Sequence, residues 1–247
     1  MGVEDDASTS GGVTYANGHI YGAPETLDPA DKHGERATVF FPGGAKYKGQ
    51  WAKNRKHGKG SYTFANGDVY EGEWADDRRT GFGTYWRLDE GRYRVEYNGT
   101  WVENKKHGFG VFFNAKGERY EGEWFEGKRH GKGKQTYGGR FDGLGADVYD
   151  GEWVHGKRTG RGVMSWANGD AYEGQWEDDQ KHGPGTHYYE EKRARYDGVW
   201  ERDTPRCGEY RAMDDDIAPV IPLPDVKLMD ADEVARRAKE VAIDALR

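Results

Sequence analysis

A five-residue pattern, Tyr-x-Gly-x-Trp, recurs seven times along this chain and constrains its fold more than any other feature. The aromatic anchors are Tyr47/Trp51, Tyr70/Trp74, Tyr97/Trp101, Tyr120/Trp124, Tyr149/Trp153, Tyr172/Trp176 and Tyr196/Trp200. Successive tyrosines lie 23, 27, 23, 29, 23 and 24 residues apart. Self-similarity at such a period marks a stack of small structural units, each touching mainly its neighbours.

The alternation of an extended strand puts Tyr, Gly and Trp on one face and the two intervening residues on the other. A Gly-x-Gly follows each tryptophan but the last, as in Gly81-Phe82-Gly83, whereas Gly208-Glu209-Tyr210 breaks the pattern in the seventh unit. On that returning segment Gly58, Gly60, Tyr62 and Phe64 share a face, as do Gly160, Gly162, Met164 and Trp166. Each unit therefore reads as a two-stranded hairpin with one aromatic face, its glycines leaving room for rings of neighbouring strands. A buried Tyr or Trp ring removes about 150–250 Å² from water, worth several kcal/mol at about 25 cal/mol per Å². Because an isolated hairpin is marginal, stacking must supply the stability.

The expected fold is all-β: an elongated, single-layer antiparallel array of stacked hairpins, about sixteen strands and roughly 70 Å long at about 4.8 Å per strand. Asn66-Gly67-Asp68, Lys116-Gly117 and Asn168-Gly169-Asp170 mark tight turns between units. Two such connections are longer, residues 87–94 and 138–147, and either drift or a partner contact explains them.

Composition agrees. A hydrophobic content of 34% and a mean hydropathy of -1.08 are too polar for a deep globular core, while 16 Tyr, 9 Trp and 9 Phe are too many for a disordered chain. A single cysteine, Cys207, excludes an internal disulfide framework and suits a reducing compartment. The first residues carry no apolar run, and nowhere do 18 apolar residues follow one another, so neither a signal peptide nor a membrane span is expected. A soluble cytoplasmic protein is the default. The net charge of -7 argues against nucleic acid as a partner.

Residues 1–11 read as an acidic flexible tail, and 12–46 as a degenerate first unit or N-terminal cap in which Arg36 replaces the second glycine. Residues 47–210 hold the seven good units. Residues 211–229 are acidic and then proline-rich, and 230–247 form a short helix that Asp230 and Glu233 cap. Val234, Ala238, Val241 and Ala245 give it a narrow apolar stripe, for docking on the array or on another protein.

No catalytic or cofactor motif emerges. His57, His107, His130 and His182 recur too far apart, at about 9.6 Å per unit, to share a metal. Gly122 to Lys128 and Gly151 to Lys157 imitate a phosphate loop, but Arg129 and Arg158 stand where magnesium needs a hydroxyl. The carboxylates between Tyr and Trp, such as Glu71 and Glu73, read as a solvated polar face. Basic pairs at the hairpin turns (Arg78-Arg79, Lys105-Lys106, Lys128-Arg129 and Lys157-Arg158) form an expected basic ridge. Either it steers a charged partner or anionic lipid, or it is merely solvated.

Tyr-x-Gly-x-Trp, a short basic turn, His-Gly-x-Gly and Asn-Gly-Asp together resemble the MORN (membrane occupation and recognition nexus) repeat family, over residues 12–210. The tail, from Cys207-Gly208 through Pro222-Leu-Pro-Asp-Val-Lys-Leu-Met-Asp230, resembles that of an axonemal member. The resemblance implies a non-catalytic scaffold in the axoneme of a cilium or flagellum, at a radial-spoke base on doublet microtubules. Its partners would be other radial-spoke or doublet-associated axonemal proteins, with no cofactor and no small-molecule substrate. Such proteins also clamp a partner segment in an aromatic groove. Here Tyr62, Tyr85, Phe112, Tyr137, Trp166 and Tyr189 would line it with Trp51, Trp74, Trp101, Trp124, Trp153 and Trp176, unless these rings only pack on one another. The alternative is a peripheral protein of phosphoinositide-containing or other anionic membranes.

Overall fold

A computed structural model describes residues 32–138 and 145–213. The acidic N-terminal tail, the first part of the degenerate unit, most of the 138–147 connection, the proline-rich segment and the expected helix with Val234, Ala238, Val241 and Ala245 lie outside the described residues.

Those residues form fifteen strands in a single sheet: β1 (Gly34–Phe40), β2 (Lys46–Ala52), β3 (Arg55–Thr63), β4 (Val69–Ala75), β5 (Arg78–Asp89), β6 (Arg92–Val102), β7 (Lys105–Phe113), β8 (Arg119–Phe125), β9 (Lys128–Tyr137), β10 (Asp147–Val154), β11 (Lys157–Ser165), β12 (Ala171–Glu177), β13 (Gln180–Tyr189), β14 (Ala194–Glu201) and β15 (Thr204–Ala212). Strand order follows chain order from β1 to β15, every neighbour antiparallel. The expected hairpin array is what forms, with no helix among the described residues. The degenerate unit contributes β1, where Gly34 opposes Trp51 and Arg36 opposes Gly49, as Gly58 opposes Trp74 and Gly60 opposes Gly72 one unit later.

Within a unit, two residues make the turn, and both have positive φ: Lys53-Asn54 (48°, 62°), Asp76-Asp77 (47°, 69°), Glu103-Asn104 (46°, 70°) and Asp178-Asp179 (49°, 72°). That is the primed hairpin turn, whose twist matches the strands and which Asn, Asp and Gly tolerate best. The sequence reading placed the basic pairs in this turn. They instead open the returning strand, as Arg55 opens β3 and Arg78 opens β5. Between units the turn at Asn66-Gly67 falls where expected. Phe64 N–H bonds Asp68 O at 2.8 Å, and Asn66 Oδ1 accepts from Asp68 N–H at 3.1 Å.

The longer connection at 87–94 is no loop. It lengthens β5 and β6 into a paired finger, Arg87 opposite Arg94 and Leu88 opposite Tyr93. The finger docks on the preceding inter-unit turn: Leu88 N–H and Tyr85 Oη–H bond the Asp68 carboxylate at 3.0 and 2.8 Å, and Tyr93 Oη–H bonds Gly67 O at 3.2 Å. Burial pushes the Asp68 carboxyl up, but bonds from Leu88, Tyr85 and Asn66 outweigh it and hold the group below its ordinary range. This insertion contacts the array itself.

The core is a ladder of rings on one face. Six of the repeat tyrosines, Tyr47, Tyr70, Tyr97, Tyr120, Tyr149 and Tyr172, are fully buried. Each meets its own tryptophan and that of the next unit edge-on, as Tyr97 does Trp101 at 5.0 Å and Trp124 at 5.5 Å. Edge-to-face geometry suits the ring quadrupoles. The room comes from glycine: a Cβ on Gly83 would lie 2.3 Å from Tyr70 Oη.

Candidate functional site: an aromatic groove with a cation row

The ladder is the floor of the groove. Each tyrosine donates its hydroxyl to the carbonyl before its tryptophan, as Tyr120 does to Glu123 O at 2.9 Å. The repeat indoles from Trp74 onward donate to the second glycine of the preceding strand: Trp74 to Gly60 O, Trp101 to Gly83 O, Trp124 to Gly110 O, Trp153 to Gly133 O and Trp176 to Gly162 O, between 2.9 and 3.1 Å, and Trp200 to Gly185 O at 3.3 Å. Trp51, facing the degenerate unit, finds no such partner among the described residues. These tryptophans were expected to line an open groove. They are instead core residues, none more than 7% exposed, because the preceding strand and the flanking tyrosines cover them, as Gly60 O and Tyr47 of the preceding unit and its own Tyr70 meet Trp74.

The open part is the row outside them. Tyr62, Tyr85, Phe112, Tyr137, Trp166 and Tyr189 are all half-buried. They do not form one line. Tyr62, Tyr85 and Phe112 stand two residues past the second glycine, whereas Tyr137, Trp166 and Tyr189 stand four past it. In the later units Gln135, Met164 and His187 take the inner place and are buried. The aromatic row thus steps outward midway, a shift legible in the spacing once the register is known. At the N-terminal end Phe64 packs between Tyr62 (4.8 Å) and Tyr85 (5.6 Å). There an open pocket of about 170 Å³ is lined by Lys56, Tyr62, Phe64, Trp74, Asp77, Arg79 and Asn104.

The expected basic ridge divides into two populations. The second residue of each pair turns in over the rings: Arg79 lies 4.3 Å from the Trp101 ring centre, Lys106 4.0 Å from Phe112, Arg129 4.2 Å from Trp153 and Arg158 4.4 Å from Trp176. Such stacking combines a cation–π attraction with burial of the side-chain stem. Lys106 is desolvated enough that its amine drops to about 8, the charges of Arg79 and Arg87 adding to the burial and Glu96 opposing it. The first residues of the pairs stay exposed, and most meet an acid of the following turn: Arg78 with Glu103 (2.6 Å), Lys105 with Glu126 (3.9 Å) and Lys157 with Asp178 (3.1 Å). Lys128 is exposed too. The ridge is largely neutralised, not a bare positive edge.

The opposite face is not purely a solvated carboxylate ribbon. Gln50 and Glu123 accept backbone N–H bonds from Lys59 (3.2 Å) and Lys132 (3.0 Å), and their side chains cover Gly58 and Gly131. Glu121 is buried and paired with Arg119. Sequence reasoning missed a set of exposed apolar side chains here. Phe82, Val102, Phe109, Phe125 and Val154 are all more than 40% exposed, and the ring of Phe125 lies between His107 (5.3 Å) and His130 (5.5 Å). No group of three or more metal-binding side chains occurs among the described residues. The phosphate-loop lookalike from Gly122 to Lys128 runs from β8 through a hairpin turn into β9, offering no helix N-terminus.

Comparison with known families agrees with this geometry. The family model of the MORN repeat matches six segments, residues 47–69, 70–91, 97–119, 120–145, 149–171 and 172–191, together more than half of the chain. The seventh unit, β14 and β15, lies beyond the matched residues but keeps the glycine pair Gly198 opposite Gly208 and the Tyr196–Trp200 edge contact at 5.6 Å. No curated protein matches the chain.

Proposed function

The chain belongs to the MORN-repeat family, and from that premise we propose that it is a non-catalytic scaffold or adaptor that clamps partner segments along its aromatic groove. Members of this family are in general non-enzymatic repeat proteins that could bind membranes or partners. The observation that carries the reading is the half-buried row from Tyr62 to Tyr189. Its rings pack on one side and stay open on the other, on a face whose floor is already filled. An aromatic strip of this kind, continuous over several units, is what an interface presents before it is covered. The tail's resemblance to MORN repeat-containing protein 3 supports a place in the ciliary or flagellar axoneme, among radial-spoke or doublet-associated proteins.

A peripheral role on anionic membranes is the competing reading. It is weakened by the acids that meet Arg78, Lys105 and Lys157. Paired co-sedimentation tests both. The protein is mixed either with axonemes stripped of it or with phosphoinositide-containing vesicles, at physiological salt. Pelleting with axonemes that is lost on Tyr62→Ala/Tyr85→Ala/Phe112→Ala supports the scaffold. Pelleting only with vesicles, and its loss on neutralising Arg78, Lys105, Lys128 and Lys157, overturns it.

A further inference from the structure

The stacked cations fall under a simple rule. Each one's neighbour across the groove edge is the second residue of the following hairpin turn, and the chemistry of that residue varies. Lys56 meets Asp77 at 3.0 Å and Arg158 meets Asp179 at 3.1 Å, both carboxylates. Arg79 instead meets Asn104, bonding its Oδ1 and its carbonyl. For Lys106 the turn residue is Gly127, which offers only a backbone contact, its N–H bonding Lys106 O at 2.8 Å. For Arg129 it is Gly156, and the guanidinium bonds that glycine's carbonyl at 2.9 Å and Gln135 Oε1 at 2.9 Å. Among the described residues, three consecutive cations in the middle of the array therefore lack the carboxylate partner that their equivalents on either side possess. The acids near them are already engaged: Glu96, whose charge reaches Lys106, is held by Arg87 at 2.5 Å, and Asp68 by Tyr85 and Leu88.

A half-buried cation without a counter-charge is costly, and the cost is recovered when a carboxylate arrives. We propose that the central stretch of the groove binds an acidic partner segment, with carboxylates against Arg79, Lys106 and Arg129 and apolar side chains on the aromatic row. The inference rests on the groove reading and adds the partner's chemistry to it. Spacing sharpens it. Equivalent residues of successive units lie about 9.6 Å apart, and a polyproline II segment advances about 3.1 Å per residue with three residues per turn, so an acid at every third position stays on one face and matches the cation row. A protein segment fits better than a membrane surface, because these cations lie down on the groove floor over Trp101, Trp124 and Trp153, not on a protruding edge.

The test places the missing acids in the turns. Asn104→Asp, Gly127→Asp and Gly156→Asp give the three central turns the residue that Asp77, Asp179 and Asp203 already are, at φ between 66° and 72°. The triple variant keeps every groove ring and cation in place, and its fold is checked by its urea midpoint. A random peptide library displayed on phage is selected against the full chain, and the winning peptide is titrated by fluorescence anisotropy. The expected result is enrichment of Asp and Glu at three-residue spacing. At least a tenfold affinity loss is expected on the triple variant, matched by replacing the peptide's acids with amides. Selection of neutral or basic peptides, of none, or equal binding to the triple variant overturns the proposal. If such peptides still release from Tyr62→Ala/Phe112→Ala protein, the groove reading stands while the acidic preference falls. If they do not, both fall. Binding of phosphatidylinositol 4,5-bisphosphate vesicles that the triple variant loses, with no acidic peptide enriched, transfers the site to a lipid headgroup and also overturns the proposal.

Discussion

Trp101 packs edge-on against Tyr70, the tyrosine of the preceding unit, with ring centres 5.4 Å apart at 84°. Tyr70 meets its own Trp74 at 5.1 Å. Each tyrosine is thus shared property of two units, and half of what buries it is supplied by the next one along. Stability resides as much between units as within them.

The indole hydrogen bonds separate otherwise equivalent tryptophans. Trp124→Phe strands Gly110 O and should cost about 1–3 kcal/mol beyond its packing loss. Trp51→Phe loses no such bond among the described residues, where its Nε1 has no partner, so its cost should be smaller by about that amount. Urea denaturation of the two variants checks the difference. Equal losses would show that the bond contributes nothing.

Gly83→Ala puts a Cβ 2.3 Å from Tyr70 Oη, where a fully buried ring cannot swing aside. The expected destabilisation is about 3 kcal/mol or more, at the upper end for overpacking. Gly91→Ala, with nothing within 4 Å but a φ of 77°, should cost only the strain of that turn, about 1 kcal/mol. Thermal melts of the pair test the contrast.

Adjacent arginines should behave oppositely. Arg78 is exposed and paired with Glu103, so Arg78→Ala should change stability by about 0–1 kcal/mol, less at high salt. Arg79 is laid over Trp101 and bonded to Asn104, so Arg79→Ala should cost about 1–2 kcal/mol with little salt dependence. Salt-resolved denaturation curves distinguish them.

His187 lies against Trp166, Tyr189 and Trp200, with Lys181 and Asp170 the charged groups that act on it. Burial first, then the charge of Lys181, pulls its imidazole down to about 4, with Asp170 opposing. The folded state therefore stays neutral where the unfolded chain takes up a proton. Stability should fall as pH drops from about 6.5 toward 4. His187→Met, which copies Met164 of the preceding unit, should flatten the fall across that window. Urea midpoints at successive pH values read it directly.

The period of the Tyr-x-Gly-x-Trp pattern was enough to predict the sheet, its strand order and the rings over glycines, because each rests on local alternation and a neighbour one repeat away. The six buried repeat tyrosines and the Asn66-Gly67 turn fall where that logic puts them. The groove was less legible. Alternation says which face a tryptophan takes but not how much of it the preceding strand covers, so Trp51 through Trp176 read as lining when they are floor. The basic pairs misled for a related reason. Composition shows two adjacent cations, while the twist at the hairpin end sends Arg79 inward and Arg78 out. The finger of β5 and β6 looked like an inserted loop because Asp68, its docking point, is separated from it by a whole strand pair.

Strand order that never departs from chain order has a consequence for how such a protein is made. No pairing among the described strands waits for residues more than one strand further on, so little loop-closure entropy is spent before a contact forms. As the chain leaves the ribosome, each emerging hairpin meets a finished one and a half-covered tyrosine to close upon. Folding can then keep pace with synthesis, advancing like a zip whose last tooth is always ready.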